Sequence, residues 1–347
     1  MSYNDSNEGK NDEKEVPMNK KLTMRDIAEY AGVTKSTVSR YFNGGYVKED
    51  TRKKIKKVID KYHYEPNTFA QSLKAKESKI IGVIAPCLDS TVSGRMLMAI
   101  DQYLRKDNYT SLFVNTSHDI RLELRSIESL WRMKADGIIL LATEITEEHA
   151  QIAEKLDIPL LFVAQKYEHG ISVIYDDFEA GKFVGEYIGQ RRFERPVYVG
   201  VTAHDEAIGV HRRNGVFAGL AKYRIKNVKE IIADFSYEGT KDKIAEYLRK
   251  HRVDVMICAT DTQAMAAYQV IKQRGLKIPE DISVIGFGGY EASEILTPKL
   301  STVRYDSDTA GYLAGETMIK MINHEPVSKT QVVDYTFIEG ESVKECE

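Results

Sequence analysis

The stretch Thr34-Lys35-Ser36-Thr37-Val38-Ser39-Arg40 has a chemistry of its own. Thr34 is placed to cap a helix, and Lys35 and Ser36 stand in that helix's first turn. Side chains there reach base edges when a helix enters the major groove of DNA. Arg40, one turn on, carries a planar fork that matches the paired acceptors of guanine. Thr23, Thr37, Ser39, Asn43 and Tyr46 lie around it as candidate phosphate contacts, which position a protein on a duplex without reading its sequence. Against this, no phosphate-binding glycine loop, HExxH, GxSxG or zinc spacing appears anywhere in the chain. An enzyme is therefore not expected, and no cofactor is.

The elements that would hold these side chains are short helices. T-M-R-D at Thr23 is a capping-box-like start, with Asp26 aimed back at free N–H groups, for a helix to Tyr30 with Ile27 and Ala28 inward. Ala31-Gly32-Val33 turns the chain, Gly32 supplying the permissive backbone. The second helix is expected over Lys35 to Phe42, stopped by Asn43-Gly44-Gly45. A third is expected from Thr51, with Ile55, Val58, Ile59 and Tyr62 at helical spacing. Beyond Glu65-Pro66, Asn67 caps a further helical stretch to Ala75, too short to be stable alone in water.

Charge separates this block from the rest. Residues 19–79 carry a balance of +8, residues 1–18 one of −3, and the remainder −8, within an overall −3. A basic module ahead of an acidic body is the pattern expected when only the first meets phosphates. The chain has 347 residues, 42% of them hydrophobic, and a mean hydropathy of −0.38, so more than one soluble core is expected. No apolar run approaches membrane-spanning length, and the polar N-terminus, read as a disordered tail over 1–18, has no signal-like segment. Cys87, Cys258 and Cys346 are too scattered for a disulfide framework or zinc site, which suits a reducing cytoplasm.

From Lys79 short apolar strands alternate with amphipathic helices. Strands are expected at Ile80–Ala85, Ser111–Asn115, Gly137–Leu141, Pro159–Ala164, Ser172–Asp176, Pro196–Val201, Val228–Ala233, Val255–Ala259, Ser283–Phe287, Ser301–Tyr305 and Val332–Phe337. Helices are expected at Arg95–Lys106, Leu122–Met133, Glu179–Gln190, Lys241–Lys250, Thr262–Arg274 and Asp308–Asn323. Continuous apolar strands between helices predict parallel, doubly wound sheets. So many strands predict two α/β subdomains with a cleft between them.

The run R-D-I-A-E-Y-A-G-V-T-K-S-T-V-S-R-Y-F-N, then T-R-K-K-I and Y-E-P-N-T-F-A-Q-S-L-K, resembles the DNA-binding headpiece of the lactose-repressor family of bacterial regulators. The loop after Asn43 is about one residue shorter. The resemblance implies a small all-α helix-turn-helix headpiece (19–66), a hinge helix and linker (67–78), and an α/β periplasmic-binding-protein-like core of two doubly wound subdomains (79–340), with a tail over 341–347. It implies a homodimer on palindromic operator DNA, and no leucine heptad follows the last strand to build a tetramer. Asn67, Leu73 and Lys74 fall in the hinge, and Leu73 holds the place of a leucine that wedges into the minor groove. Such a wedge unstacks a base step at a cost of about a few kcal/mol, offset by added contacts, and a helix that orders only on DNA is a usable switch.

The same resemblance places a sugar effector between the core subdomains, outside the carboxyl ends of the strands. Arg212, in R-R-N-G-V-F-A-G-L, takes the place of an arginine that forks onto ligand hydroxyls, and Phe235 that of an aromatic lying against a sugar ring. Asp261, in A-T-D-T-Q-A, matches the aspartate of the family's N-D motif; a helix N-cap for the following helix is the other reading of it. Asp89 and Ser90 could line the cleft from the other subdomain. After I-S-V-I-G-F the family usually has an aspartate that anchors sugar hydroxyls, whereas this chain has Gly288-Gly289-Tyr290-Glu291. That variant looks most like sucrose-operon repressors of Gram-positive bacteria, and makes sucrose, its phosphate or fructose the expected effector, with Tyr290 in contact. The expected function is a sugar-switched repressor. Alternatives are a catabolite-control regulator with a phosphocarrier-protein partner, or a sugar-binding transport component, which the basic headpiece disfavours.

Overall fold

A threonine followed three residues later by an aspartate starts the first helix, α1 (Met24–Ala31): Thr23 and Asp26 form a reciprocal capping box, the Asp26 carboxylate accepting from the Thr23 N–H at 2.7 Å. Gly32 ends it at φ 65°, its N–H and that of Val33 turned back onto Glu29 and Ala28 carbonyls. Helix α2 (Lys35–Phe42) follows, its first turn held by Thr34, whose hydroxyl accepts from the Thr37 N–H at 3.3 Å. Helix α3 (Glu49–Tyr62) starts two residues before the expected Thr51. Lys48 gives it no side-chain cap, and Glu49 and Asp50 in its first turn suit the positive end of the helix dipole instead. Ile27, Ala28, Ala31, Val38, Val47, Ile55 and Tyr64 bury together as its core.

This computed structural model describes residues 22–42, 44–64, 77–88 and 90–345. The chain divides into two units, Met1–Glu77 and Ser78–Glu347. Expectations placed on the first 21 residues, on Asn43, Asn67, Leu73 and Lys74 of the headpiece and hinge, and on Asp89 lie outside the described residues.

The second unit runs β1 (Ile80–Ala85), α4 (Thr91–Lys106), β2 (Thr110–Asn115), α5 (Ile120–Arg132), β3 (Gly137–Leu141), α6 (Glu147–Lys155), β4 (Leu160–Val163), β5 (Ile171–Tyr175) and α7 (Asp177–Gly189). It continues through β6 (Pro196–Gly200), a π-helix (Glu206–Arg212), α8 (Arg213–Lys222), β7 (Lys229–Ile232), α9 (Tyr237–Lys250), β8 (Val255–Cys258), α10 (Asp261–Gln273), β9 (Ser283–Phe287) and α11 (Glu291–Glu294). It closes with β10 (Ser301–Tyr305), α12 (Ser307–Ile322), β11 (Thr330–Val333) and β12 (Tyr335–Ile338). The strands form two six-stranded sheets, ordered β11-β5-β4-β3-β1-β2 and β12-β10-β9-β8-β6-β7. All pairings are parallel except β12 against β10.

The chain crosses between sheets three times: after Tyr175, after Tyr305, and at Asp334. The last crossing corrects the expected single strand Val332–Phe337. Alternation in V-V-D-Y-T-F runs unbroken through Asp334, with no glycine or proline to mark a turn, so β11 and β12 read as one strand although they belong to different sheets. Helix starts also differ. Ser90 caps α4 and Ser236 caps α9, about a turn ahead of the expected Arg95 and Lys241. Helices α6 and α8, not expected, fill two of the gaps between strands.

Helices α7 and α8 pack at backbone distance. A Cβ on Gly181 or Gly185 would collide with the carbonyls of Arg212 and Val216, and one on Gly215 or Gly219 with those of Phe178 and Lys182. The four glycines, two per helix at a spacing of one turn, are what bring the π-helix and its terminal Arg212 against the start of α7. Since no rotamer can relieve a clash with backbone, Gly215→Val should cost about 3 kcal/mol. Urea unfolding of the variant beside the wild type measures it.

Candidate functional site

In the headpiece, α2 presents what its sequence offers. Lys35, Ser36 and Arg40 are exposed, while Val38 on the opposite face is buried in the three-helix core. Ser36 and Thr37 both bond the Thr34 hydroxyl at 2.8 Å, which braces the first turn. Gly45 donates its N–H to the Arg40 carbonyl, and a side chain on it would run into the Arg40 stem. That glycine therefore leaves room for the arginine to lie where it does. Ser39 is half-buried, and Tyr46 stands 83% exposed beyond the end of α2. Thr23 gives its hydroxyl proton to Asp26 at 2.6 Å, so as a phosphate donor it would have to leave its own capping box.

In the core unit, loops from the carboxyl ends of the two sheets face one another and are bridged. Arg95 on α4 pairs with Glu291 at the start of α11. His118, after β2, stacks on Phe235, after β7, with ring centroids 5.4 Å apart and planes within 7°. Glu144 meets His204 at 3.2 Å. Gln165, after β4, donates its amide to the Thr143 carbonyl at 3.0 Å and to Asp205 Oδ1 at 2.9 Å, and accepts from the Ala207 N–H at 3.1 Å. Tyr290 is nearly buried, its phenol in reach of Ser90 and Thr262. Phe235, Ser90 and Tyr290 thus lie among the contacts that bridge the carboxyl ends of the two sheets.

Arg212 and Asp261 are placed differently. Arg212 is buried, and its Nε and Nη2 donate to Asp177 Oδ1 at 2.8 and 2.5 Å. Its Nη1 donates to the Ala259 carbonyl at 2.6 Å, and the guanidinium lies over the rings of Phe287 and Tyr305. Three of its five N–H groups are committed within the protein, so the fork points at Asp177 and two N–H groups have no protein acceptor among the described residues. Asp261 is fully buried; Oδ1 accepts from the Thr302 hydroxyl at 2.6 Å, and Oδ2 from the Tyr290 N–H at 3.0 Å and Ser293 at 2.8 Å. Burial holds its carboxyl above the usual range in spite of those donors. The cap of α10 is not Asp261 but Thr260, which accepts from the Gln263 N–H at 3.2 Å. Asp261 instead fixes the Gly288-Gly289-Tyr290 loop. The two glycines there are required by φ values of 143° and 63°, and Gly289 also abuts Arg304.

Four residues at this site went unread in the sequence: His118, Gln165, Asp177 and Asp205. Each follows the carboxyl end of a strand within a few residues, the position from which such a cleft is lined. That position was the available signal. Among the described residues no group of three or more His, Cys, Asp or Glu is placed to hold a metal, and no helix is long and apolar enough to cross a membrane.

Comparison with known proteins bears on both units. A model of the lacI family of bacterial regulatory proteins matches residues 23–67, and one of a periplasmic binding protein-like domain matches 186–343. The chain is 34% identical to a sucrose operon repressor of Staphylococcus xylosus over 311 residues, 89% of this chain and 96% of that one. It is 27% identical to a ribose operon repressor of Haemophilus influenzae over 92% of this chain and 98% of the other. The crystal structure of the lac repressor dimer bound to operator and an anti-inducer superposes with a TM-score of 0.85, at 22% identity, over 93% of this chain and 99% of that one. At such identity the superposition shows the fold, a helix-turn-helix headpiece with a two-sheet core.

The Arg212–Asp177 pair makes a sharp expectation. Removing one partner leaves a charge stranded in the interior, so Asp177→Ala should cost about 3–5 kcal/mol. Denaturant midpoints read this directly, and a variant as stable as the wild type would contradict the pairing.

Proposed function

The chain belongs to the lacI family of bacterial regulatory proteins, and we propose that it represses a carbohydrate-utilisation operon by binding a palindromic operator as a homodimer, its grip set by a small sugar held between the core subdomains. It is a DNA-binding transcriptional repressor of the sugar-operon type and not an enzyme, and its place of work is the cytoplasm, where the operator is. The observation that carries the proposal is the exposed face of α2, with Lys35 and Ser36 in its first turn and Arg40 in its last, all free of the core that Val38 anchors. Lys35 and Ser36 then read base edges, Arg40 reads a guanine, and Thr23, Thr37, Ser39, Asn43 and Tyr46 contact phosphates. On the sequence resemblance alone, Asn67 and Lys74 belong to the hinge and Leu73 is its wedge.

The 34% identity with a sucrose operon repressor, together with G-G-Y-E after β9, supports sucrose, its phosphate or fructose as the effector. Phe235 offers an apolar plane to a sugar ring, Arg212 two N–H groups, and Ser90, Tyr290 and Asp261 belong to the surrounding wall and its support; Asp89 joins them on its sequence position alone. Dimerisation is supported by the dimeric, operator-bound lac repressor and by apolar surface. The Arg95–Glu291 bond joins the two subdomains, and one turn along from each partner Met98 and Ile295 stand 64% and 83% exposed. A second copy laid there would span both subdomains and so register their relative placement.

The test is a mobility shift with DNA from upstream of the protein's own operon. Wild type should bind at modest salt and be moved by one of the candidate sugars. Arg40→Ala should weaken binding about 10- to 100-fold, in keeping with the worth of one bidentate base contact. Leu73→Ala should weaken it too, and operator affinity equal to wild type in that variant would remove the wedge.

A further inference from the structure

We infer that Asp205 is the hydroxyl-accepting anchor of the effector site, in place of the carboxylate that the Gly288-Gly289 loop does not provide; the inference rests on the effector reading above. Asp205 caps the π-helix at the carboxyl end of β6, and its residue exposure is 7%. One oxygen is used twice: Oδ1 accepts from the Ile208 N–H and from Gln165 Nε2, each at 2.9 Å. The other, Oδ2, has no protein partner among the described residues. That oxygen is not sealed from solvent, so a ligand hydroxyl can take the place of the water that otherwise donates to it. Because Gln165 reaches it from the opposite subdomain, Asp205 lies where the two subdomains meet and not on an outer face.

A second, independent observation marks the same corner. Gln263 is fully buried, and its Nε2 spans the carbonyls of Gly200 and Asp234, at 3.4 and 3.3 Å, where β6 and β7 end. Its Oε1 has no partner. The chain leaves those two strand ends into Asp205 on one side and Phe235 on the other. The corner therefore holds the partly accessible Asp205 carboxylate, the sealed and unpartnered Gln263 amide oxygen, an aromatic plane, and, at the far end of the π-helix, the two remaining N–H groups of Arg212. Acceptors in excess on one side and donors on the other suit a polyol, whose hydroxyls do both. The group at Asp205 must bring a proton to give, which a phosphate oxygen at neutral pH does not. A neutral hydroxyl therefore binds there, and a phosphate on the effector sits elsewhere.

Burial raises the Asp205 carboxyl above the usual range, against the opposing pull of the Ile208 and Gln165 bonds and of Arg212. The other charged groups around it are Asp177 behind Arg212, Glu206 beside it on the π-helix, and the Glu144–His204 pair at the rim. The carboxylate form accepts the ligand hydroxyl, so affinity should fall as pH drops through the Asp205 pKa. That fall should begin at higher pH than for an ordinary carboxylate.

The experiment is calorimetry of the full-length protein with sucrose, fructose, sucrose 6-phosphate and fructose 6-phosphate over a pH series. For whichever sugar binds wild type, Asp205→Asn should lose about 10- to 100-fold in affinity and most of the acid-side fall. Asp205→Ser, which keeps a helix-capping oxygen while removing the carboxylate, should behave alike if Asp205→Asn folds poorly. Sugar affinity in a folded variant equal to wild type, with the same pH profile, overturns the anchor and leaves the repressor reading intact. Wild type silent toward all four sugars overturns the effector reading and the anchor with it.

Discussion

A guanidinium taken out of water must find both charge and hydrogen-bond acceptors, and Arg212 finds them in Asp177 and the Ala259 carbonyl. This pairing constrains much else in the core. Asp177 is the first residue of α7, immediately after the chain has crossed from the first sheet to the second, and Tyr305, which ends the strand before the second crossing, donates to the same Oδ1 at 2.9 Å. The rings of Tyr175 and Tyr305 pack tilted by 38° with centroids 4.7 Å apart, and Tyr175 donates to Ser307 beyond the crossing. The two crossing segments are alike in sequence, Tyr-Asp-Asp-Phe-Glu-Ala-Gly at 175–181 and Tyr-Asp-Ser-Asp-Thr-Ala-Gly at 305–311. In each, a tyrosine ends the strand and the next aspartate caps the helix, Asp176 accepting from the Glu179 N–H and Asp306 from the Thr309 N–H. Arg212 is what ties this paired crossing to the wall of the cleft.

What could be read from residues alone follows the range of the forces involved. The headpiece is built from local ones. A capping box at Thr23, a left-handed glycine at 32, and a cap at Thr34 act over three or four residues, so α1 and α2 emerge with their expected bounds or within a residue of them. The strands of the core are legible because each is an apolar run buried on both faces, as β3 and β9 show. Asp334 was not legible as a crossing, since a chain that passes straight from one sheet to another needs no turn residue. Asp177 and Asp205 were hidden for a related reason. Each sits at a helix start, where an acid is ordinary, and only partners from residues far along the chain give either a second meaning.

Asp261 shows how the same residue type can change its task. Its neighbour Thr260 takes the capping role, which leaves the carboxylate free to hold the Tyr290 N–H, Ser293 and Thr302. The loop it holds has glycines with positive φ, so no side chain at 288 or 289 could turn a carboxylate into the cleft without strain. A wall built this way is shaped by backbone and by Tyr290.

The contacts across the cleft are individually small. An exposed ion pair such as Arg95–Glu291 contributes at most about 1 kcal/mol, and a ring stack such as His118–Phe235 about 0.5–1.5 kcal/mol. A few such terms hold the subdomains in one placement without locking them there. A ligand shifts the balance only by the difference in its affinity for the two placements, and about 10⁴-fold is needed for a full swing. Contacts between the subdomains are where such a difference can arise, and the Gln165 amide, which touches Thr143, Asp205 and Ala207 together, is one of them. The buried Arg212–Asp177 pair cannot be broken so cheaply. It therefore belongs to the fixed frame of the core, while the rim contacts are the weaker part.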